Sequence, residues 1–266
     1  MINKAIVRVK GGLGNQLFIY SFAKYLTLKY GINVLLDNKT GFVKDQYNRK
    51  YLLDNFDIGL KDCSLMQAAF IPLKKRAKFV TNNFFRNSIL FEEESFHCDF
   101  INDLKYNEKT LYLEGYWQKK NYVEEFALSL RKDLQIHKEL DEYNILFSRK
   151  INTTESVAIH FRKIRFSSTL DLSYYTKAIL QIKTFLPNPV FFIFSDDIEW
   201  CKNNLKFNED IVFIENNKSD EIKDIWLLSQ CKHFILSNST FSWWGYWLSE
   251  NESKIVIKPN DHFLSQ

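Results

Sequence analysis

Proline and glycine are scarce in this chain, at 4 and 8 of 266 residues, which argues against a collagenous, low-complexity or loop-dominated protein. The four cysteines, Cys63, Cys98, Cys201 and Cys231, are widely scattered and match no zinc spacing. They read as free buried thiols, neither a disulfide framework nor a metal site. No apolar run approaches the roughly 20 residues that span a bilayer. The start MINKAIVRVKGG enters a strand directly, without the apolar core or cleavage site of a signal peptide. A cytoplasmic protein is the expectation. Charge of one sign is also missing: 36 basic residues stand against 32 acidic ones, a net of +4. That is too mild for a nucleic-acid partner. It suits an anionic small ligand, or weak attraction to the inner face of a cell membrane. What the chain does have is apolar bulk, 45% hydrophobic with 24 phenylalanines, enough to bury a large core in one or two domains.

Apolar periodicity predicts an α/β series. Ala5–Val9 is a strand, Gly11–Asn15 a tight loop and Gln16–Tyr30 a helix with Leu17, Phe18, Phe22, Tyr25 and Leu26 on one face. Ile32–Leu36 is a second strand ending at Asp37. Between 40 and 110, polar stretches alternate with aromatics (Phe42, Tyr47, Tyr51, Phe56, Phe84, Phe85, Phe91, Phe96), predicting irregular structure and short helices. Leu111–Gly115 is a strand and Val123–Leu134 a helix. The polar stretch Ile136–Thr154 is the candidate junction, placing domains at 1–150 and 151–266. Strands at Ser156–His160, Val190–Phe194, Ile211–Ile214, His233–Leu236 and Lys254–Ile257 alternate with helices at Leu172–Phe185, Ile198–Asn204, Asp220–Cys231 and Ser242–Leu248. This spacing implies mostly parallel sheets, one per half, with a cleft between the halves.

Four segments place chemistry-bearing residues where a strand hands over to a helix, the ligand side of an open α/β sheet. GLGNQL, with Gly12, Gly14, Asn15 and Gln16, resembles the start of a dinucleotide fingerprint, and Asp37 ends the next strand where a ribose-binding acid sits. The third glycine is absent, its position being Leu17. A plain β-α turn fits equally, with the two amides either capping the helix or binding sugar hydroxyls. His160 and Arg162 share one face at the end of the next apolar strand, followed by Lys163. A guanidinium there can grip a diphosphate in a fork; a solvated basic turn is the plainer alternative. Asp196 and Asp197 invite a divalent metal, but adjacent acids opening a helix fit a cap and a nucleoside contact better. Ser237, Asn238, Ser239, Thr240 and Ser242 place more hydroxyls and amides at a helix start than capping needs, as suits phosphate. Trp243, Trp244 and Trp247 read as core packing.

Taken in order, GGLGNQLF, YLEGYWQ (Tyr112–Gln118), HFR, FSDDIEWCKNNL and NSTFSWWGYWL make the chain resemble the inverting bacterial α-1,2-fucosyltransferases of glycosyltransferase family 11. The resemblance covers nearly the whole length. It implies two Rossmann-like domains facing a cleft, the GT-B arrangement, with GDP-fucose as donor substrate and no metal or other cofactor. It implies that His160 and Asp197 recognise the guanosine, and that Arg162 with Ser239, Thr240 and Ser242 holds the diphosphate. Asn15, Gln16 and Trp117 then lie on the fucose or acceptor side, where a galactose-terminated oligosaccharide or lipid-linked glycan binds. The family's His-x-Arg-Arg-Gly-Asp-Tyr reads His-Phe-Arg-Lys-Ile-Arg-Phe here. Lys163 keeps the second positive charge, the Gly-Asp is gone, and Asp171 is the nearest carboxylate for the role of base. The competing readings are a non-catalytic nucleotide-sugar or glycan-binding relative that lost its base, and an oxidoreductase built on the first β-α-β unit.

Overall fold

The computed structural model describes residues 4–64, 67, 88–93, 110–137, 140–163, 170–205, 210–217, 220–260, 262 and 264. The aromatics Phe84, Phe85 and Phe96, the side chain of Phe91, Cys98 and the loop after Lys163 lie outside them. The chain forms two compact units, Met1–Gln135 and Ile136–Gln266. The expected boundary at 150/151 falls inside a helix of the second.

In the first unit the elements are β1 (Lys4–Arg8), α1 (Leu13–Tyr30), β2 (Asn33–Asp37), a 3-10 turn (Leu53–Asn55), β3 (Lys61–Asp62), β4 (Ser88–Glu92), β5 (Thr110–Glu114), α2 (Lys120–Glu124) and α3 (Ala127–Asp133). The sheet order is β3-β2-β1-β5-β4, with every pairing parallel. Three expectations change. Helix α1 begins at Leu13, so Gly14, Asn15 and Gln16 form its first turn and are not a loop. From Leu13 to Leu26 it is also buried except at the half-buried Asn15 and Lys24, with Leu17, Phe18, Ile19, Tyr20 and Phe22 among the enclosed residues. A helix that is hydrophobic on every side belongs inside a unit and not on its surface. The expected Val123–Leu134 helix is two pieces, parted at Glu125–Phe126, where Phe126 leaves helical geometry (φ −124°, ψ 34°). Strand β4 lies where the sequence suggested only irregular structure and short helices.

The second unit holds α4 (Glu142–Thr153), β6 (Glu155–Phe161), α5 (Leu172–Lys183), β7 (Pro189–Ser195), α6 (Ile198–Asn204), β8 (Ile211–Phe213), α7 (Glu221–Gln230), β9 (His233–Ile235), α8 (Thr240–Leu248) and β10 (Val256–Ile257). Its order, β10-β9-β6-β7-β8, with parallel pairing throughout, is the doubly wound order of Rossmann sheets. Both sheet faces are covered, which is why β6 and β7 read as unbroken apolar runs. Val157, Ile159, Phe161, Phe191 and Ile193 pack with α5 and α6 on one face. Ala158, Phe192 and Phe194 pack with Ile151 of α4 and Leu227 and Leu228 of α7 on the other. Helix α4 occupies the stretch read as a junction. Asp141 caps it by accepting the Asn144 N–H at 2.9 Å. At Gly245 in α8 an added Cβ would stand 2.0 Å from Leu228 Cδ2, so only glycine lets α8 lie this close to α7. Cys63, Cys201 and Cys231 are free and buried. Among the described residues, no helix is long and apolar enough to cross a membrane.

Candidate active site

In the second sheet β6 is central. The chain winds from it to β7 and β8 on one side and to β9 and β10 on the other, so the strand order reverses between β6 and β9. Ligands of such sheets bind beyond the carboxyl ends at that point. His160 ends β6 on the Ala158 side and is 4% exposed. Its Nδ1 lies 2.8 Å from Ser237 Oγ just past β9, and Phe241 of α8 lies against its ring at 5.3 Å. Burial, assisted by the nearby Arg162 guanidinium, holds the imidazole down at about 3. It is therefore a neutral hydrogen-bonding group across the physiological range. The Ser237 N–H donates to Ser242 Oγ at 3.2 Å, folding the small-residue segment back on the first turn of α8. Tyr174 and Tyr175 brace this edge from α5, their hydroxyls donating to the carbonyls of Leu236 (2.7 Å) and His160 (3.2 Å).

Ser239 takes the N-cap position of α8 in extended conformation, yet its side chain makes no capping hydrogen bond. Thr240 opens the helix, two residues earlier than the expected start at Ser242. Asn238 lies between them and Ser237, half-buried. The two acids after β7 separate cleanly. Asp197 caps α6, its Oδ1 accepting the Trp200 N–H at 3.0 Å. Asp196 turns to β6: Oδ1 accepts the Lys163 N–H at 2.7 Å and Oδ2 faces Arg162 at 3.4 Å. The Lys163 ammonium lies 3.7 Å above the Trp200 ring, a cation–π contact. Asp196, Arg162, Lys163 and Trp200 thus form one assembly, with Trp200 the member the sequence reading did not name. Asp171 caps α5, accepting the Ser173 N–H at 2.7 Å, and this bond lowers its carboxyl below the usual range. A carboxylate so stabilised is a weaker proton acceptor.

In the first unit the expected residues divide differently. Gln16 is fully buried. Its amide donates to the carbonyls of Gly11 (2.9 Å) and Lys50 (2.8 Å) and accepts the Leu52 N–H at 2.9 Å, so it staples the 50–52 segment and is not a sugar contact. Trp117 is 1% exposed and stacked on Phe22 with centroids 3.9 Å apart; it is core and not a platform. Asp37 is buried and accepts the N–H groups of Lys39 and Thr40 at 3.0 Å, the Thr40 hydroxyl and the Tyr112 hydroxyl at 2.8 Å. Every one of those bonds organises the turn after β2. Gly12 is the N-cap of α1 and Gly14 is buried in its first turn. Asn15 is half-buried and accepts from Gln118 Nε2 at 2.9 Å.

Among the described residues, no group of three or more His, Cys, Asp or Glu side chains is placed to hold a metal ion. The sequence model of glycosyl transferase family 11 matches residues 4–266. This chain is a family 11 glycosyltransferase. The family 11 chain is 30% identical to the Escherichia coli alpha-1,2-colitosyltransferase, over 97% of this chain and 92% of that protein. It is 29% identical to the Escherichia coli O-antigen biosynthesis glycosyltransferase WbnK, over 96% and 93%. Its fold is similar to that of NodZ alpha-1,6-fucosyltransferase co-crystallized with GDP, with a TM-score of 0.58, 12% identity and 92% of each chain covered. The two Rossmann-like units are those of a GT-B-like glycosyltransferase.

Proposed function

We propose that this glycosyltransferase moves fucose from GDP-fucose to the 2-hydroxyl of a terminal galactoside, with inversion, during synthesis of a surface glycan. The carrying observation is the convergence of Arg162, neutral buried His160 and the hydroxyl-rich start of α8 at the β6/β9 switch point. His160 and Asp197 would meet the guanosine and Arg162, Ser239 and Thr240 the diphosphate; Ser242, fully buried and accepting the Ser237 N–H, would hold the segment behind them. In the step itself a base takes the proton of the acceptor hydroxyl and passes it to solvent, and the oxygen bonds to the anomeric carbon. The bond from that carbon to the diphosphate oxygen breaks, and GDP leaves with the electron pair from the opposite face. Charge growing on GDP is met by a guanidinium and helix-start donors already in place, the work a divalent ion does elsewhere. No metal or other cofactor enters this reading. Asp171, spent as a cap, is not the base in it. In this reading the enzyme works in the cytoplasm, at the inner membrane face, on a galactose-terminated or lipid-linked acceptor. The 30% identical colitosyltransferase favours a second reading of the donor, with colitose in place of fucose.

The test is a GDP titration and a transfer assay of Arg162→Ala beside the parent chain, offering GDP-fucose and GDP-colitose with a galactoside panel in excess chelator. Losing the clamp should cost about 3 kcal/mol of transition-state stabilisation, roughly a hundredfold in rate, with weaker GDP binding. Near-normal transfer by folded Arg162→Ala would remove the arginine from its role. Loss of transfer in chelator, restored by magnesium or manganese, would overturn the metal-independent reading. GDP binding without transfer to any acceptor would leave a binding protein.

A further inference from the structure

Past the end of β5 the backbone takes a conformation that a large side chain rarely adopts. Trp117 has φ +53°, in the left-handed region disfavoured for any residue with a Cβ. Such geometry persists where the surroundings enforce it and collects at working sites. At this kink the indole lies inward, flat on Phe22 with an interplanar angle of 10°, while Tyr116 before it is exposed. Tyr116 is 39% exposed, its N–H held by Glu93 Oε2 at 2.7 Å. Gln118 reaches the first turn of α1 and donates to Asn15 at 2.9 Å.

Two glycines keep this corner open. At Gly11, φ +81°, an added Cβ would lie 2.9 Å from Asn15 Nδ2 and 3.2 Å from Tyr116 Cε1. At Gly115 it would lie 2.5 Å from Glu93 Cβ. Strands β1 and β5 are paired neighbours, so an exposed phenol ring, two side-chain amides and bare backbone meet beyond their carboxyl ends. The bond between the amides uses the Gln118 amino group and the Asn15 carbonyl, so the Asn15 amino group and the Gln118 carbonyl are the donor and acceptor that it does not use. Vicinal hydroxyls of a pyranose need that combination, and the C–H face of the same ring packs on an aromatic side chain. Lys10, 4.9 Å from the ring centroid, and Arg8 share Glu114, and Glu93 at the Tyr116 N–H supplies a second carboxylate, so two cations meet two acids and the corner suits a neutral sugar.

We infer that Tyr116, Asn15 and Gln118 form a pyranose platform that takes a neutral hexose of the acceptor, with Trp117 as the positioning residue beneath it. The inference rests on the reading of this chain as a sugar transferase, but not on the donor site.

The experiment is saturation-transfer NMR on the full chain with methyl β-galactopyranoside, methyl β-glucopyranoside and methyl N-acetyl-β-glucosaminide, and a GDP titration of the same samples. Tyr116→Leu removes the ring at an exposed position, Tyr116→Phe keeps it, and Gln118→Ala opens the amide pair. At least one glycoside should receive saturation from the parent chain and from Tyr116→Phe. With Tyr116→Leu and Gln118→Ala the signal should fall, and the acceptor KM rise about tenfold with kcat nearly unchanged, as lost ground-state binding does. GDP affinity should stay put in all three. A parent chain that saturates none of the glycosides, or a Tyr116→Leu variant that matches it, overturns the platform. Failure of the parent chain to bind GDP would count against the donor site alone.

Discussion

Asp196 and Asp197 are sequence neighbours with separate tasks, and the difference can be measured. Asp197 is a helix cap with a second, proposed role at the guanosine, so Asp197→Ala should cost about 1 kcal/mol of stability and weaken GDP binding as well. Asp196 holds the Lys163 backbone and faces Arg162. Asp196→Asn keeps an acceptor for the Lys163 N–H but removes the charge beside the guanidinium. For a half-exposed pair that contact is worth up to about 1 kcal/mol. Asp196→Asn should therefore cost at most that much stability, and weaken GDP if Asp196 positions Arg162 for the diphosphate; unchanged GDP binding would remove Asp196 from the site, and tighter binding would show that it competes with the diphosphate. Ser239 makes no capping bond, so Ser239→Ala should leave the melting curve in place and weaken GDP by roughly 1–3 kcal/mol, as a lost bond to a charged group does. A lower melting temperature at constant GDP affinity would return it to a structural role. His160, Arg162 and the acid pair were visible in the sequence because a strand's end fixes where they lie. Gln16 and Trp117 were assigned ligands because sequence gives a residue's position along the chain but not the direction its side chain turns. One unexpected φ moved the exposed ring from Trp117 to Tyr116.

At the scale of elements, what the sequence disclosed depended on contrast between neighbouring residues. The strands of the second sheet stand out as apolar runs between polar turns, and most of their bounds fall within two residues of expectation. Helix α4 was missed because its sequence, EYNILFSRKINT, is largely polar. It is held by its cap and by amides: Asn144 and Asn217 exchange hydrogen bonds of 2.8 and 3.1 Å, and Asn217 Nδ2 donates to Asp224 of α7 at 2.9 Å. Burial, with Asp220 and Glu221 nearby, raises Asp224 to about 7. The sign follows from linkage: the folded chain holds this proton where the unfolded chain, with an ordinary carboxyl near 4, has released it. Its contribution is complete below about pH 4 and lost as pH rises through about 7. Asp224→Asn should melt like the parent chain near pH 4 and above it at pH 8; parallel curves across that range would show no such proton. Gly245 makes a second claim on α7. Gly245→Ala drives a methyl into Leu228, which should cost about 1–3 kcal/mol as overpacking does, measured by denaturant unfolding.

For the whole molecule, periodicity was enough to foresee two parallel α/β units, since only strands alternating with helices fit the spacing. The division was misplaced because a polar helix looks like a linker when only apolar pattern is counted. Each unit also carries its own buried sulfur: Cys63 in the first, Cys201 and Cys231 in the second. Burial pushes Cys63 up to about 12 and Cys201 up to about 11, and Cys231 is raised as well. Thiolate is the reactive form, so none of the three should be alkylated at neutral pH unless its unit opens. Iodoacetamide labelling read by peptide mass therefore gives two independent clocks within one chain. With GDP added, the Cys201 and Cys231 clock should slow, because a ligand of the folded second unit stabilises it by mass action. The Cys63 clock reports whether the first unit opens on its own schedule or waits for the other.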